Sequence, residues 1–350
     1  MNNKINKIFK QYPKDFILIT NPKDIFYLTG AEFEGFWLLL AKKKLFAITS
    51  QMIKGQIETE FKNKIKIVTD TSFIKALVAI IKQYNVNRLL VDTTELLVST
   101  FTLIEKILKL SNITVKQINS VTNNLRIIKN KDEINNIKTA CELVSKIFET
   151  VKNKIICGMK EIDIHFLIEQ EFAKHHTVAS FKTIVASGPN AANPHHISGE
   201  RKIKKNDIVL IDMGCICNGY CSDLTRTFFV GKPTRYQQKI WNTVKQAHDE
   251  AMEKIKPNIK ACDIDLTARN IIKADGFEKY FIHTTGHGVG IDIHEAPAIS
   301  HKNEAFLKEG MVITIEPGIY LKNKFGVRIE DTVLVTKTGF KKLTNAKYFF

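Results

Sequence analysis

The chain has 350 residues, 44% hydrophobic and 25% charged, which suits a soluble globular protein and exceeds the length one average domain uses. Its formal net charge is +16, but residues 1–130 hold 20 Lys+Arg against 10 Asp+Glu and the remainder 32 against 26. The excess is scattered lysine without an interleaved aromatic stacking motif, so solvated surface is favoured over a nucleic-acid face. No apolar run reaches the roughly 18 residues of a membrane span, and MNNKINKIFKQYPKDF lacks the apolar core of a signal peptide, so a cytoplasmic protein with no membrane partner is expected.

From residue 16 onward, FILIT, WLLLA, LFAIT, KIKIV, RLLVD and ITVKQI read as strands, and QMIKGQIETEF, FIKALVAIIKQY and TLIEKILKL carry helical spacing. Such alternation predicts an α/β domain. None of its connections is a phosphate-cradling glycine loop. The pattern stops at SVTNNLRIIKNKDE, which places a boundary between domains 1–122 and 123–350. Beyond it, Ile134, Ile137, Cys141, Val144, Phe148, Val151 and Ile155 mark one face of a long helix. A second helix is predicted over Glu161 to His175, with two more within 234–256 and 263–275. Strands fall between and after these helices, so the second domain is α+β, with helices covering one side of an antiparallel sheet.

Cysteines stand at 141, 157, 215, 217, 221 and 262. The cluster Cys215, Cys217 and Cys221 invites a thiolate–zinc idea, but structural zinc needs four ligands in tighter pairs, and reduced thiols are favoured.

That cluster lies inside VLIDMGCICNGYCSDLTRT (209–227), read as two strands joined by a tight connection at Gly219. Asp212 and Asp223 are eleven residues apart on these strands and can face one space, where they repel unless a cation stands between them. An isolated Asp at a strand end is usually a turn or cap residue. Three later segments favour the cation. His287 is flanked by glycine in TTGHGVGIDIHEAP. Glu316 ends an apolar strand in MVITIEPGIY, and Glu330 lies within GVRIEDTVLV. Acids within runs of Val, Ile and Leu are costly to bury unless paired or bound to metal. Four carboxylates and one imidazole suit two divalent ions, Mn²⁺ foremost, with Co²⁺, Fe²⁺ and Zn²⁺ also matching the donors. Arg328, two residues before Glu330, is predicted to share its face and to orient the bridging carboxylates.

The order Asp212, Asp223, His287, Glu316, Glu330 resembles the ligand set of the pita-bread metallopeptidases, which include aminopeptidase P, prolidase and methionine aminopeptidase, along with the metal-free creatinase. LRIIKNKDEINNIKTA resembles the helix that opens their catalytic domain, and NPKDIFYLTG a segment of their N-terminal domain, so the likeness covers nearly the whole chain. It implies a pita-bread catalytic domain behind a smaller creatinase-like one. It further implies that Asp212 holds one metal, His287 and Glu316 the other, and that Asp223 and Glu330 bridge them. Glu316 takes a second role as general base and proton shuttle. His294 and His195, the latter in GPNAANPHH, match substrate-side histidines, although His196 adjoins His195 and leaves that choice open. His283 and Asp331 are expected, with Arg328, to stand behind the ligands. Thr284 departs from the Arg of many prolidase-like members, which puts one pocket contact in doubt.

The RIED motif resembles the aminopeptidase P and prolidase branch; methionine aminopeptidases lack it and usually lack the N-terminal domain. The resemblance thus implies a homodimeric exopeptidase that cleaves between an N-terminal residue and proline, and GHGVGIDIHE leans toward the prolidase-like group. Two alternatives remain: a catalytically inactive pita-bread module that binds protein or RNA, and a methionine-aminopeptidase-like specificity. His175, His176, His248 and His301 are expected at the surface without a role.

Overall fold

The computed structural model describes residues 3–62 and 64–349. Residues 1–125 and 126–350 form two compact units. No described helix is long and apolar enough to cross a membrane.

In the first unit, six strands make one sheet among the described residues: β1 (Phe16–Ile19), β2 (Phe36–Ala41), β3 (Lys44–Thr49), β4 (Lys66–Thr69), β5 (Arg88–Asp92) and β6 (Thr114–Ile118), in the order β4-β3-β2-β1-β5-β6. The β1–β2 and β2–β3 pairs are antiparallel; β3–β4, β1–β5 and β5–β6 are parallel. Helices Gln51–Phe61, Phe73–Gln83 and Val98–Lys109 supply the crossovers that parallel pairs need. Leu77, Ile81 and Ile104 pack on Leu18, Leu39, Phe46 and Leu89, which explains why the strands read as continuous apolar runs. Two further helices, Asn3–Gln11 and Pro22–Thr29, had no sequence prediction. The second starts where Asn21 Oδ1 accepts the Lys23 N–H at 2.8 Å and stops at Gly30, whose φ of 81° a β-carbon would disfavour.

The second unit begins with helix Lys131–Lys152, capped by Asn130, whose own N–H donates to Glu133 Oε2 at 2.8 Å. Helix Glu161–Lys174 follows, and Arg235–Glu253 and Ala261–Ala274 come later, close to the predicted spans. Strands β7 (Ile184–Ser187), β8 (Asp207–Met213) and β11 (Leu224–Val230) form one antiparallel sheet, β11-β8-β7. Between β8 and β11 a short ladder, β9 (Ile216–Cys217) with β10 (Tyr220–Cys221), turns at Asn218 and Gly219. Both have positive φ, 49° and 76°, the geometry of a two-residue hairpin turn. The predicted single hairpin is therefore a sheet pair with a smaller hairpin at its tip.

A second sheet runs β13-β12-β14-β17-β18, from β12 (Gly286–Gly288), β13 (Glu295–Ile299), β14 (Val312–Ile315), β17 (Asp331–Val335) and β18 (Phe340–Lys342). β15 (Gly318–Leu321) pairs with β16 (Phe325–Arg328). Phe148, Ile164, Ile168 and Phe172 from the first two helices pack on Val209, Ile211 and Leu224 of the first sheet. Each such burial stabilises by about 1.5–3 kcal/mol. Ile240, Val244, Ile264 and Ala268 of the later helices join Ile313, Ile315 and Val333 in a second cluster. Helices over antiparallel sheets bear out the expected fold class. Arg328 and Glu330 are not on one unbroken strand: β16 ends at Arg328, β17 starts at Asp331, and the Glu330 N–H donates to Thr225 O at 3.1 Å.

Candidate metal centre

Asp212 occupies the penultimate position of β8, with Thr225 of β11 on one side and Ile184 of β7 on the other. Its Oδ2 accepts from Arg328 Nη2 at 2.6 Å; its Oδ1 is buried with no hydrogen-bond partner. Thr225 Oγ1 donates to Glu330 Oε2 at 2.7 Å and accepts from Arg328 Nε at 3.1 Å. Glu330 Oε1, like Asp212 Oδ1, is buried and unpartnered. Arg328 thus orients Asp212 rather than the Asp223 and Glu330 carboxylates it was expected to hold, and reaches Glu330 only through Thr225.

His287 sits on β12, where the neighbouring strands approach too closely for side chains on either side of it. A β-carbon on Gly286 would lie 2.0 Å from Thr314 O, and one on Gly288 2.3 Å from Ala296 O. His287 Nδ1 lies 3.0 Å from Gly288 O, which leaves Nε2 to face the acids, 3.2 Å from Glu316 Oε1 and 3.6 Å from Asp223 Oδ2. Glu316 is further fixed by Thr314 Oγ1 at 3.3 Å and by its own N–H donating to Thr285 O at 2.7 Å. One ligand atom each from Asp223, His287 and Glu330 fall within 4.8 Å of one another. Asp212 and Glu316 flank this trio, and all five line one cavity of about 590 Å³.

The electrostatics are those of a site short of positive charge. Burial and the neighbouring acids push the Asp223 and Glu330 carboxyls well above their usual range. Burial raises Asp212 despite Arg328. For Glu316, burial works the other way from the outcome: the hydrogen bond and charge of His287 outweigh it and bring the carboxyl down to about 2. His287 is pushed up to about 9, because Glu316 and Asp223 outweigh burial. Acids that raise one another in this way form a donor set whose mutual repulsion a divalent cation would relieve. Two orphaned carboxylate oxygens among four crowded acids and an imidazole fit divalent metal.

His195 and His294 also line the cavity, and the His294 ring stands 4.4 Å from that of His287. His196 does not: its Nε2 is 2.7 Å from Glu161 Oε2. His283 lines the cavity with both ring nitrogens engaged, Nδ1 at 2.7 Å from Thr284 O and Nε2 at 2.8 Å from the Tyr320 hydroxyl. The Thr284 carbonyl can only accept, so Nδ1 carries the proton; in the neutral form, which burial favours, Nε2 accepts from the Tyr320 hydroxyl, which itself accepts from Arg328 Nη1 at 2.8 Å. Sequence reasoning missed Tyr320 and Thr225, whose only signal was their place on strands next to the ligands.

Asp331 is placed differently from expectation. Adjacent residues on extended backbone face opposite ways, so Asp331 turns from the cavity to Arg226 Nη2 at 2.8 Å, Thr344 Oγ1 at 2.6 Å, His248 Nε2 at 3.2 Å and the Tyr348 hydroxyl. Burial opposes its ionisation, but Arg226 and His248 hold the carboxyl well below its usual range. His248 is therefore buried, not a surface residue, whereas His175, His176 and His301 are exposed.

Arg328→Lys keeps the charge but loses the three-way fork to Asp212, Thr225 and Tyr320. Metal affinity is expected to fall about 10–100-fold, read by competition against a chelator of known affinity. Unchanged affinity would show that the bond to Asp212 does not prepare the site.

Four acids and an imidazole gathered in one cavity between antiparallel strands define a candidate metal centre. Residues 135–337 match the model of metallopeptidase family M24, and residues 3–128 that of the creatinase/prolidase N-terminal domain, and the chain belongs to this family. It is 36% identical to an Xaa-Pro dipeptidase of Pyrococcus furiosus over 98% of this chain and 97% of that one. Among solved structures it resembles an Xaa-Pro dipeptidase from Bacillus anthracis (TM-score 0.93, 30% identity, 99% and 98% of the two chains). It also resembles a prolidase from Thermococcus sibiricus (TM-score 0.91, 37% identity, 100% of each).

Proposed function

We propose that the chain is an Xaa-Pro dipeptidase working with two divalent ions. The observation that carries this reading is the pair of orphaned oxygens, Asp212 Oδ1 and Glu330 Oε1, beside Asp223, His287 and Glu316 in one cavity; its support from outside the chain is the activity named for its relatives. Asp212, Asp223, His287, Glu316 and Glu330 would hold the ions, Mn²⁺ in the first instance, which supply polarisation of the scissile carbonyl and a more acidic water. Glu316, whose carboxyl is held down at about 2 by His287 against burial, would take a proton from the attacking water and return it to the proline nitrogen as that leaves. His195 and His294 flank the substrate and donate to its carbonyl. Phe181, Ile184, Pro194, Ile282 and Ile293 give the cavity an apolar wall for the proline ring. The tertiary X-Pro amide, which lacks an N–H, gives such a specialised site its use. The reading includes a cytoplasmic homodimer, with which six free cysteines are consistent.

The test is kcat/KM on Ala-Pro, Ala-Pro-Ala and Met-Ala-Ala with Mn²⁺ supplied. Ala-Pro is expected to be the best substrate. A clear preference for Ala-Pro-Ala would make the protein an aminopeptidase P, and cleavage of Met-Ala-Ala alone a methionine aminopeptidase. Bound metal without turnover of any of the three would leave the inactive binding module.

A further inference from the structure

The positive charge of the cavity wall is only partly used by the dipeptidase reading, on which the following inference rests. Among the described residues lining the cavity, Arg328 and Lys182 are the lysine and arginine side chains. Arg328 is 3% exposed, and its Nε, Nη1 and Nη2 are committed to Thr225, Tyr320 and Asp212. It cannot turn to a ligand without releasing Asp212. Lys182 is exposed, and no described group forms an ion pair or hydrogen bond with its ammonium.

The backbone that carries Lys182 is nonetheless fixed. The next residue, Thr183, is 1% exposed; its Oγ1 donates to Glu169 Oε1 at 3.0 Å and its carbonyl oxygen lies 3.1 Å from His165 Nδ1. Ile184 then pairs with Asp212 across β7 and β8. Alternation puts Lys182 and Ile184 on one face, and both line the cavity. Lys182 therefore stands about 7 Å along the strand from the Ile184–Asp212 pair, within one side chain's reach of a group bound beside the acids. The surrounding wall is apolar, with Phe181 adjacent and Ile282 66% exposed. A substrate whose scissile carbonyl faces Asp212 and Glu316 carries its next charge one proline ring further out, and that charge is a free carboxylate only in a dipeptide.

We propose that Lys182 receives the C-terminal carboxylate of an Xaa-Pro dipeptide and is the residue that sets the preference for dipeptides over longer Xaa-Pro chains. A longer peptide offers an uncharged amide at that point and forfeits the charge-assisted hydrogen bond. The lysine's flexible stem and point charge suit a carboxylate that needs attraction more than a fixed bidentate geometry.

The test compares Ala-Pro with its C-terminal amide, Ala-Pro-NH₂, on metal-loaded wild type and on Lys182→Ala, Lys182→Arg and Lys182→Glu, with metal content and Tm measured for each. The wild type is expected to favour Ala-Pro by about tenfold or more in kcat/KM. Lys182→Ala brings that ratio toward one, mainly through KM on Ala-Pro; Lys182→Arg keeps it, and Lys182→Glu inverts it. Raising the salt concentration narrows the wild-type ratio and leaves that of Lys182→Ala in place. A ratio unchanged in Lys182→Ala and Lys182→Glu overturns the inference while the dipeptidase reading stands. A metal-loaded wild type that cleaves neither substrate overturns both.

Discussion

Glu316→Gln should lower kcat by about 10²–10⁴-fold, the usual worth of a general base. The substitution keeps the size and the apolar strand before it, so the 2.7 Å bond from the residue 316 N–H to Thr285 O survives. What goes is the charge that faces His287 Nε2 from 3.2 Å away. In the metal-free protein the His287 imidazole should then fall from about 9 toward its ordinary value, because the hydrogen bond and charge of Glu316 are the leading effects that raise it against burial. The kinetic measurement is made with metal content restored and checked by elemental analysis. Wild-type turnover under those conditions would remove Glu316 from the chemistry, and an unmoved His287 titration by NMR would remove it from the electrostatics.

Chelation is the second large effect. Removing metal should abolish turnover and leave a protein whose stability falls as pH rises. Metal-free, His287 titrates near 9 when folded and near its ordinary value, about 6.5, when unfolded. A raised folded pKa contributes stability that is complete below 6.5 and is lost as pH climbs through 9. For His287 alone this amounts to about 3 kcal/mol across that window. Asp212, Asp223 and Glu330 also have raised values, so they push the same way as they ionise. Glu316 has the opposite shift, but between about 2 and the ordinary carboxylate range, well below the window. The chelated protein should therefore show a lower Tm at pH 9 than at pH 6. Because a cation displaces those protons, metal uptake should release them and tighten with pH over the same range, as calorimetry in buffers of different ionisation enthalpy would read. A chelated Tm that holds or rises from pH 6 to 9, or full activity in a verified metal-free preparation, contradicts this account.

The parts of the fold legible in the sequence were those that depend on short-range pattern. The helix face of Ile137, Val144 and Phe148 and the apolar strands around Glu316 and Glu330 carry their periods openly. An acid in such a run is conspicuous because burial makes it costly. What stayed hidden depends on partners distant in sequence. Only Glu161 shows that His196 is held away from the cavity while His195 lines it. His248 reads as a polar helical residue until Asp331, 83 positions later, is seen beside it with Arg226 and Tyr348. Lys182 was one lysine among many until its wall of the cavity was built.

The ligands tolerate changes in chain length very unequally. Asp212 and Asp223 are separated by a small ladder that turns at Asn218 and Gly219, and Asn218 is exposed. Lengthening that tip would leave the β8–β11 register, and so both acids, where they are. The two residues between Arg328 and Asp331 allow no such freedom. Glu330 faces the cavity and Asp331 the buried Arg226, and one residue gained or lost there would exchange their faces. It would aim the wrong acid at the centre and leave Arg226 without its counter-ion. Insertions and deletions in related chains should therefore collect at the hairpin tip and be missing from the Arg-x-Glu-Asp stretch.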